Sequence, residues 1–589
     1  MAFLFNLNFA IATFLVTLVS ICMEKTRTRR FVALVIAPTF FFCFFYDFFY
    51  SVLNGPWPIM MIYISALAFV LLYLFCISLK KIPEFDEKKS LAIIFLFFFA
   101  QFLIVLIRQT IPWAIDTFPL SNVEAVLFTL FAAENGGAEG FVLESFYSKV
   151  LYNSIGIFVV FVSAQIIGAT ILCRRRIFAE SCLWKLRIQI GGKHFRSCLS
   201  GLQKSVLLIF FLFCSPLVVI LPIIVTSTPF KVFFQQPTDS QLYREHYVFP
   251  DSIQIDAVTS PRNLVVIFME SMQNAFADYT PEINELGKRA DLFAPGGIDV
   301  FGTNWTIAAI TGKLCGIPLN IPLSSNEYLG NLPTYLPKAH CLMDVLKENG
   351  YRQLFMQGSS GNFTQKRKFW TAHGGVDVHD IEYYRRIGEI PMDYNVFWGF
   401  EDRKLYRLAK KELDSLSRGD TPFAAYILTV DTHLPYGYLD DSCKSNFAEV
   451  KGKIPKVLRC ASKQLGDFLM WAQDQKWFEN TVIAIMGDHT MPSLATKLNW
   501  PKQDSLYWVS FILNSSISTP VSRRNYSSLD MFPTLLEAMG FAIDGRAVAL
   551  GRSLYSSKPT LLELYGKDVL DSLLRERSYQ YDYFLMGRE

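Results

Sequence analysis

Asn263-Leu-Val-Val-Ile-Phe-Met269 is an unbroken apolar run of strand length, and Glu270 follows it directly. Two further stretches are built the same way. Phe423-Ala-Ala-Tyr-Ile-Leu-Thr-Val430 runs into Asp431-Thr-His433, and Thr481-Val-Ile-Ala-Ile-Met-Gly487 runs into Asp488-His489. Tyr351 to Met356 and Tyr507 to Leu513 are two more strand candidates. Helical patterns fall around them at Thr306 to Cys315, Cys341 to Asn349, Leu405 to Ser415, Val457 to Gln475 and Leu529 to Met539. Strands alternating with helices predict an α/β domain over 259–589, with a central, mostly parallel sheet covered on both faces.

In open sheets of this class a ligand sits outside the carboxyl ends of the strands, so the polar residues that close each apolar run are the first to weigh. Glu270, Asp431, His433, Asp488 and His489 would stand along one edge, carboxylates and imidazoles together, which is a ligand set for Zn²⁺ or Mn²⁺. Singly, an acid at a strand end is more often a helix cap or an ion-pair partner. The segment Phe301-Gly-Thr-Asn-Trp-Thr306 supplies a hydroxyl. Gly302 frees the backbone, and Thr303 stands just before a helical run, where it either caps the helix or faces an anion held at the helix N-terminus. Coordinated to a metal, the same oxygen would be a nucleophile at neutral pH.

Upstream the chain changes character. With 51% hydrophobic residues, 53 Phe and a mean hydropathy of +0.27, its 589 residues are too apolar for an ordinary soluble protein. Six apolar stretches, near 4–22, 31–53, 57–79, 90–111, 152–173 and 205–227, are each long enough to cross a hydrocarbon core of about 30 Å as a helix. Residues 1–227 thus read as a transmembrane domain of six helices. Of the 18 Lys and Arg in it, 16 fall in three alternate loops, at 25–30, 80–89 and 174–204. This bias marks those loops as cytoplasmic and puts both chain ends, with everything after Thr228, outside. The first segment lacks a basic leader, so a cleaved signal peptide is disfavoured. Residues 228–258, with Pro237 and Pro250, read as a linker. The net charge is +7 over residues 1–227 and −3 over 228–589. A soluble half without basic excess excludes a nucleic-acid binder.

The outer half has four cysteines, Cys315, Cys341, Cys443 and Cys460, an even number in a compartment where disulfides persist. Pairs close in sequence, Cys315 with Cys341 and Cys443 with Cys460, are the preferred of three connectivities. Four buried free thiols are the alternative.

Over about residues 260–555 the chain resembles the sulfatase-like branch of the alkaline phosphatase superfamily. The likeness is carried by Glu270, Gly302-Thr303, Leu428-Thr-Val-Asp-Thr-His433, Gly487-Asp-His489 and Leu529-Asp-Met-Phe-Pro-Thr-Leu-Leu-Glu-Ala-Met-Gly540. Phe355-Met-Gln-Gly358, Phe369-Trp-Thr-Ala-His-Gly374, Trp398-Gly-Phe-Glu-Asp402 and Cys315-Gly-Ile-Pro318 belong to it as well. Within that branch it is most similar to phosphoglycerol transferases of periplasmic glucans, and more distantly to lipoteichoic acid synthases and phosphoethanolamine transferases. The resemblance implies an alkaline-phosphatase-like sandwich and one divalent metal, Mn or Zn, held by Glu270, Thr303, Asp488 and His489. It implies that Thr303 is the nucleophile and that His433 contacts the phosphoryl group. Trp370 falls where the synthases have a tryptophan against the glycerol phosphate. Two residues on, Ala372 replaces their arginine, so His373, Lys366 or Arg367 would take over phosphate recognition. Nothing around Thr303 matches the C/S-x-P-x-R motif of true sulfatases, which disfavours sulfate-ester hydrolysis.

The implied reaction is transfer of glycerol phosphate from phosphatidylglycerol to a hydroxyl of an extracytoplasmic glycan, through a phosphothreonine, at a bacterial inner membrane. A phosphoethanolamine transferase acting on lipid A or core oligosaccharide is the nearest alternative. A non-catalytic lipid sensor or transporter is the alternative of another class; few ionisable residues at membrane-centre positions speak against it.

Overall fold

The computed structural model describes residues 99–110, 113, 146–160, 162, 237–250, 255–256, 261–320, 334–434, 436–447, 449–491, 498–500, 506–517 and 524–582. The chain divides into two compact units, Met1–Arg108 with Ser154–Thr228, and Gln109–Asn153 with Pro229–Glu589. Four of the six expected spans, near 4–22, 31–53, 57–79 and 205–227, lie outside the described residues. Helix covers 99–110 within the fourth and 152–160 within the fifth. Among the described residues no helix is long and apolar enough to cross a membrane.

The second unit is built on a seven-stranded sheet. Its strands are β1 (Asn263–Met269), β2 (Leu292–Phe293), β3 (Arg352–Gln357), β4 (Asp377–His379), β5 (Phe423–Leu428), β6 (Thr481–Gly487) and β7 (Ser510–Leu513), in the order β2-β7-β6-β1-β5-β3-β4. All neighbours are parallel except β7, which is antiparallel to both β6 and β2. The sheet is therefore mixed and mostly parallel. β1 is central and apolar on both faces because it is covered on both. Its Val265, Ile267 and Met269, which share one face by the two-residue period of a strand, pack with Ile427 and Ile485 of the neighbouring strands against helices α3 (Asp402–Leu416) and α4 (Lys453–Gln473). Each such side chain contributes about 1.5–3 kcal/mol on burial.

Helix α1 (Thr306–Cys315) is buried along its whole length, Lys313 included, which its apolar composition on every side requires. Two disulfides form, Cys315–Cys341 at the end of α1 and Cys443–Cys460 at the start of α4. The remaining helices used below are α2 (Lys366–Ala372), α5 (Met531–Ala538) and α6 (Lys567–Arg575).

Two expectations change. The strand expected from Tyr507 begins only at Ser510, because Tyr507 and Trp508 turn aside to bridge Ile298 and Gln273. The stretch expected as a linker over 228–258 is folded in its second half. Gln241–His246 is helical, Val248 exchanges two backbone hydrogen bonds with Ala549, and Ile255–Asp256 pairs antiparallel with Ala542–Ile543. Its few apolar positions hide this, since the backbone does the pairing.

Candidate metal centre and substrate cleft

Register places the acids. Met269 stands opposite Gly487 and Phe268 opposite Leu428, so β1, β5 and β6 end on one edge and the next residues of each emerge side by side. Glu270 is fixed there by hydrogen bonds to its backbone. Its N–H donates to Thr429 Oγ1 (3.0 Å), and its carbonyl accepts from the Thr432 hydroxyl. Ser271, at φ 53°, holds a left-handed conformation that costs a non-glycine residue energy. In it, the Ser271 N–H donates to Asp488 Oδ1 (2.7 Å) and its hydroxyl donates to Glu270 Oε1. One strained residue thereby sets two carboxylates.

The ligand atoms of Glu270, Asp488 and His489 lie within 4.8 Å of one another. His489 Nε2 is 3.4 Å from Asp488 Oδ2 and 3.9 Å from Glu270 Oε1. All three residues are buried. His489 Nδ1 meets the Thr490 carbonyl at 3.0 Å, which assigns the ring proton to Nδ1 and leaves a lone pair on Nε2. Asp488 Oδ2 and His489 Nε2 have no hydrogen-bond partner. Electron-rich buried atoms that converge without donors between them fit a divalent cation bound through two carboxylates and an imidazole. Burial, then the Asp488 charge, pushes the Glu270 carboxyl well above its ordinary range.

Behind the acids sits Lys313. Its ammonium donates to the Asp488 carbonyl (2.7 Å) and to Ser528 Oγ (2.9 Å) and lies 3.9 Å over the Trp508 ring. Burial pushes it down to about 8. Asp299 Oδ2 accepts from Thr490 N–H and Oγ1, at 2.7 and 2.6 Å, and so ties the turn at 299–303 to the segment that bears His489.

Thr303 closes that turn. Its N–H and its hydroxyl both donate to the Val300 carbonyl, at 3.0 and 2.9 Å, and its Oγ1 accepts from Val300 N–H at 3.0 Å. Gly302 is at φ 76°, and a Cβ there would lie 2.8 Å from Pro318 Cβ. Thr303 is wholly buried and does not cap α1, since no side chain caps that helix. Its methyl and Ser528 would crowd any Cβ added at Gly312, so Thr303 packs against α1.

A cleft opens next to Glu270, walled by Thr306, Phe363, Lys366, Trp398 and His433. Lys366 is buried, and its Nζ donates to the Phe363 carbonyl at 3.0 Å. Burial lowers it to about 8, so it remains mostly cationic at neutral pH. Consecutive left-handed residues, Thr364 and Gln365 at φ 54° and 58°, make the turn that presents Phe363 and Lys366 to the cleft. The His433 ring lies 4.5 Å from Trp398, and its Nδ1 meets the Leu434 carbonyl at 2.7 Å. Burial holds it down to about 4, so it is neutral, with Nε2 an acceptor. Trp398 is set by Gly399, whose Cβ would fall 2.0 Å from the Gly358 carbonyl oxygen.

Of the four residues expected against the substrate, the cleft receives Lys366 alone. Trp370 is fully buried, stacked 4.4 Å from Phe355 and 4.7 Å from Tyr426, so it is a core residue. One helical turn beyond Lys366, α2 has already passed under the sheet. His373 has both ring nitrogens engaged elsewhere, with Asp344 Oδ2 at 3.1 Å and the Tyr335 carbonyl at 2.9 Å. Arg367 pairs with Asp380. Asp431 lies beneath the edge, its N–H donating to Asp402. Phe363, Trp398, Thr306 and Ser271 were not expected. Trp398 stands in a motif of the resemblance, whereas Phe363 and Ser271 have no signal of their own.

The sulfatase family matches residues 262–541. The matched stretch contains the mixed, mostly parallel sheet described above. A phosphoglycerol transferase I of Xanthomonas campestris pv. campestris (strain B100) is 29% identical over 339 residues, covering 56% of this chain and 47% of that protein. One of Citrobacter koseri is 31% identical over 307 residues, covering 50% and 39%. The chain therefore spans less than half the length of these curated relatives. Among solved structures, an alkaline phosphatase superfamily protein of Vibrio parahaemolyticus aligns with 20% identity and a TM-score of 0.41, over 56% of this chain and 77% of that one. Lipoteichoic acid synthase LtaP of Listeria monocytogenes aligns with 17% identity and a TM-score of 0.41, over 51% and 78%.

Proposed function

We propose that this chain is a membrane-anchored, metal-dependent phosphotransferase that moves glycerol phosphate from phosphatidylglycerol to a hydroxyl of an extracytoplasmic glycan. The observation that carries the reading is the convergence of Glu270, Asp488 and His489 at one edge of the sheet, beside a cleft with one buried cation and one neutral imidazole. The names of the relatives, phosphoglycerol transferase I, support the head group.

Glu270, Asp488 and His489, with Thr303, would hold one Mn²⁺ or Zn²⁺, which when bound supplies Lewis-acid stabilisation of phosphoryl oxygens and of the threonine alkoxide. Lys366 binds and orients the phosphate from the opposite wall, a point charge suited to a tetrahedral anion. Thr303 Oγ leaves Val300 and attacks phosphorus as its proton passes to His433 Nε2; the bond to the diacylglycerol oxygen breaks, that oxygen takes the proton from His433, and diacylglycerol departs. A glycan hydroxyl then attacks the phosphothreonine from the vacated side. Neutral His433 accepts its proton at Nε2 and returns Thr303 to the resting state. Phe363 and Trp398 exclude water from the cleft, which favours transfer over hydrolysis.

Among the described residues lining the cleft, Glu270 is the sole carboxylate and it belongs to the metal set. An ethanolamine ammonium would find no counter-ion there, which favours glycerol. The two disulfides suit a domain outside the cytoplasm, at the inner membrane. The test is mass spectrometry of the detergent-solubilised chain with Mn²⁺ or Zn²⁺ and phosphatidylglycerol. A glycerol phosphate adduct on Thr303 is expected. An adduct formed only from phosphatidylethanolamine would refute the donor, and none with either lipid would refute the reaction.

A further inference from the structure

We infer that helix α6, outside the stretch matched by the sulfatase family, is a positioning element for the turn that carries Thr303; the inference rests on the reading of Thr303 as nucleophile. Three residues four apart along α6 form one stripe, Lys567, Asp571 and Arg575, and each meets residues 299–301. Lys567 Nζ donates to the Asp299 carbonyl at 2.7 Å and pairs with Asp571 Oδ2 at 2.8 Å. Asp571 Oδ1 accepts from the Phe301 N–H at 2.7 Å. The Arg575 guanidinium lies over the Phe301 ring, 4.7 Å from its centre.

The stripe holds the turn through backbone groups that the contact with Thr490 leaves free. Asp299 reaches forward with its side chain to Thr490, next to His489, while its carbonyl is held behind by Lys567. The chain beyond α1 is gripped from the same quarter: the Asn320 side chain donates to the Leu574 carbonyl, and the Tyr581 hydroxyl donates to the Pro318 carbonyl. Both flanks of α1 are thus fixed by the last described stretch of the chain, and the peptide between Val300 and Phe301 cannot rotate without breaking its bond to Asp571. Leu570 and Leu574, fully buried, dock α6 independently of the stripe. Lys567 and Asp571 are partly exposed, at 39% and 25%, so they can be altered with little change in the core.

The experiment compares wild type with Asp571→Ala, Asp571→Asn and Lys567→Met in the full chain. It follows single-turnover formation of the glycerol phosphate adduct from phosphatidylglycerol, hydrogen exchange at the Phe301 amide, bound metal and melting temperature. Asp571→Ala is expected to slow adduct formation by on the order of 10- to 100-fold, as a small misplacement of a reacting atom does, with faster exchange at Phe301 and unchanged metal content. Asp571→Asn keeps an acceptor for Phe301 N–H and should retain most of the rate. Wild-type rates in folded Asp571→Ala would overturn the inference. Should that variant fail to fold or lose metal, Lys567→Met decides: a slowed adduct upholds the inference and a wild-type rate overturns it. If wild type itself forms no adduct, the phosphothreonine reading fails. The exchange arm then stands alone: faster exchange at Phe301 in Asp571→Ala upholds the grip, and unchanged exchange removes it.

Discussion

The two walls of the cleft are made by different means. On the metal side, Glu270, Asp488 and His489 leave the ends of adjacent strands whose register fixes their spacing, and the backbone N–H groups of Glu270, Ser271, Asp488 and His489 are all paired. On the opposite side, Phe363 and Lys366 hang from a turn with two left-handed residues that no ladder constrains. A metal site tolerates errors of a few tenths of an ångström and needs the rigid edge, whereas recognition of a head group is a matter of which side chain a loop presents. Changes on the first wall should abolish chemistry, and changes on the second should tune substrate use.

The largest expected effect lies at Thr303, on the turn that Asp299 ties to the metal wall. Thr303→Ala should remove the phosphothreonine adduct and lower turnover by roughly four orders of magnitude, as loss of a covalent nucleophile does. The lost hydroxyl bonds to Val300 should cost about 1–3 kcal/mol in a denaturation curve. Thr306→Ala is the control. Should it abolish the adduct while Thr303→Ala keeps it, the hydroxyl that lines the cleft is the nucleophile.

Next is Glu270→Gln, which should eliminate bound metal by elemental analysis yet stabilise the chelator-treated protein at pH 7. The native carboxyl is raised, so the folded state holds its proton above the unfolded pKa of about 4.3, and stability of the metal-free wild type falls as pH rises beyond it. The gain from glutamine should vanish below that pH. A metal-free Glu270→Gln protein less stable than wild type at pH 7 would show that the site is a structural hydrogen-bond cluster.

On the second wall, Lys366→Met should lower kcat/KM about 10- to 100-fold and leave metal content intact. In wild type kcat/KM should decline as pH rises through about 8, where the buried ammonium loses its proton, and Lys366→Arg should carry that decline to higher pH. An unchanged alkaline limb in the arginine variant would assign it to another group. The smallest effect is foreseen for Trp370→Phe, which trims a core contact by about 1–2 kcal/mol on a melting curve and leaves KM unaltered. A raised KM there would return the indole to the substrate.

These contrasts follow what could be read before folding. The strand ends were legible because an apolar run followed at once by Glu270 or Asp488-His489 carries both the element and the residue that leaves it. The disulfide partners were legible through their closeness in sequence. Trp370 misled because its place in a motif resembled a binding tryptophan, while it lies one turn past Lys366 on the same face of α2, beyond the cleft and against Phe355 and Tyr426. Ser271, Thr364 and Gln365 act through backbone conformations that no side-chain pattern announces. The ties of Lys567 and Asp571 to residues 299–301 span more than 260 positions and leave no local trace.

The bridge between Cys315 and Cys341 joins the last residue of α1 to the segment leading into β3, closing a loop of 26 residues. A crosslink of that span disfavours the unfolded chain by about 3 kcal/mol. In a reducing compartment that contribution is absent, and the helix following Thr303 keeps only its packing and hydrogen bonds. On the proposed placement outside the cytoplasm, the same covalent tie leaves a retained chain less firmly assembled, so that maturation of the proposed centre is timed by the oxidants it meets across the membrane.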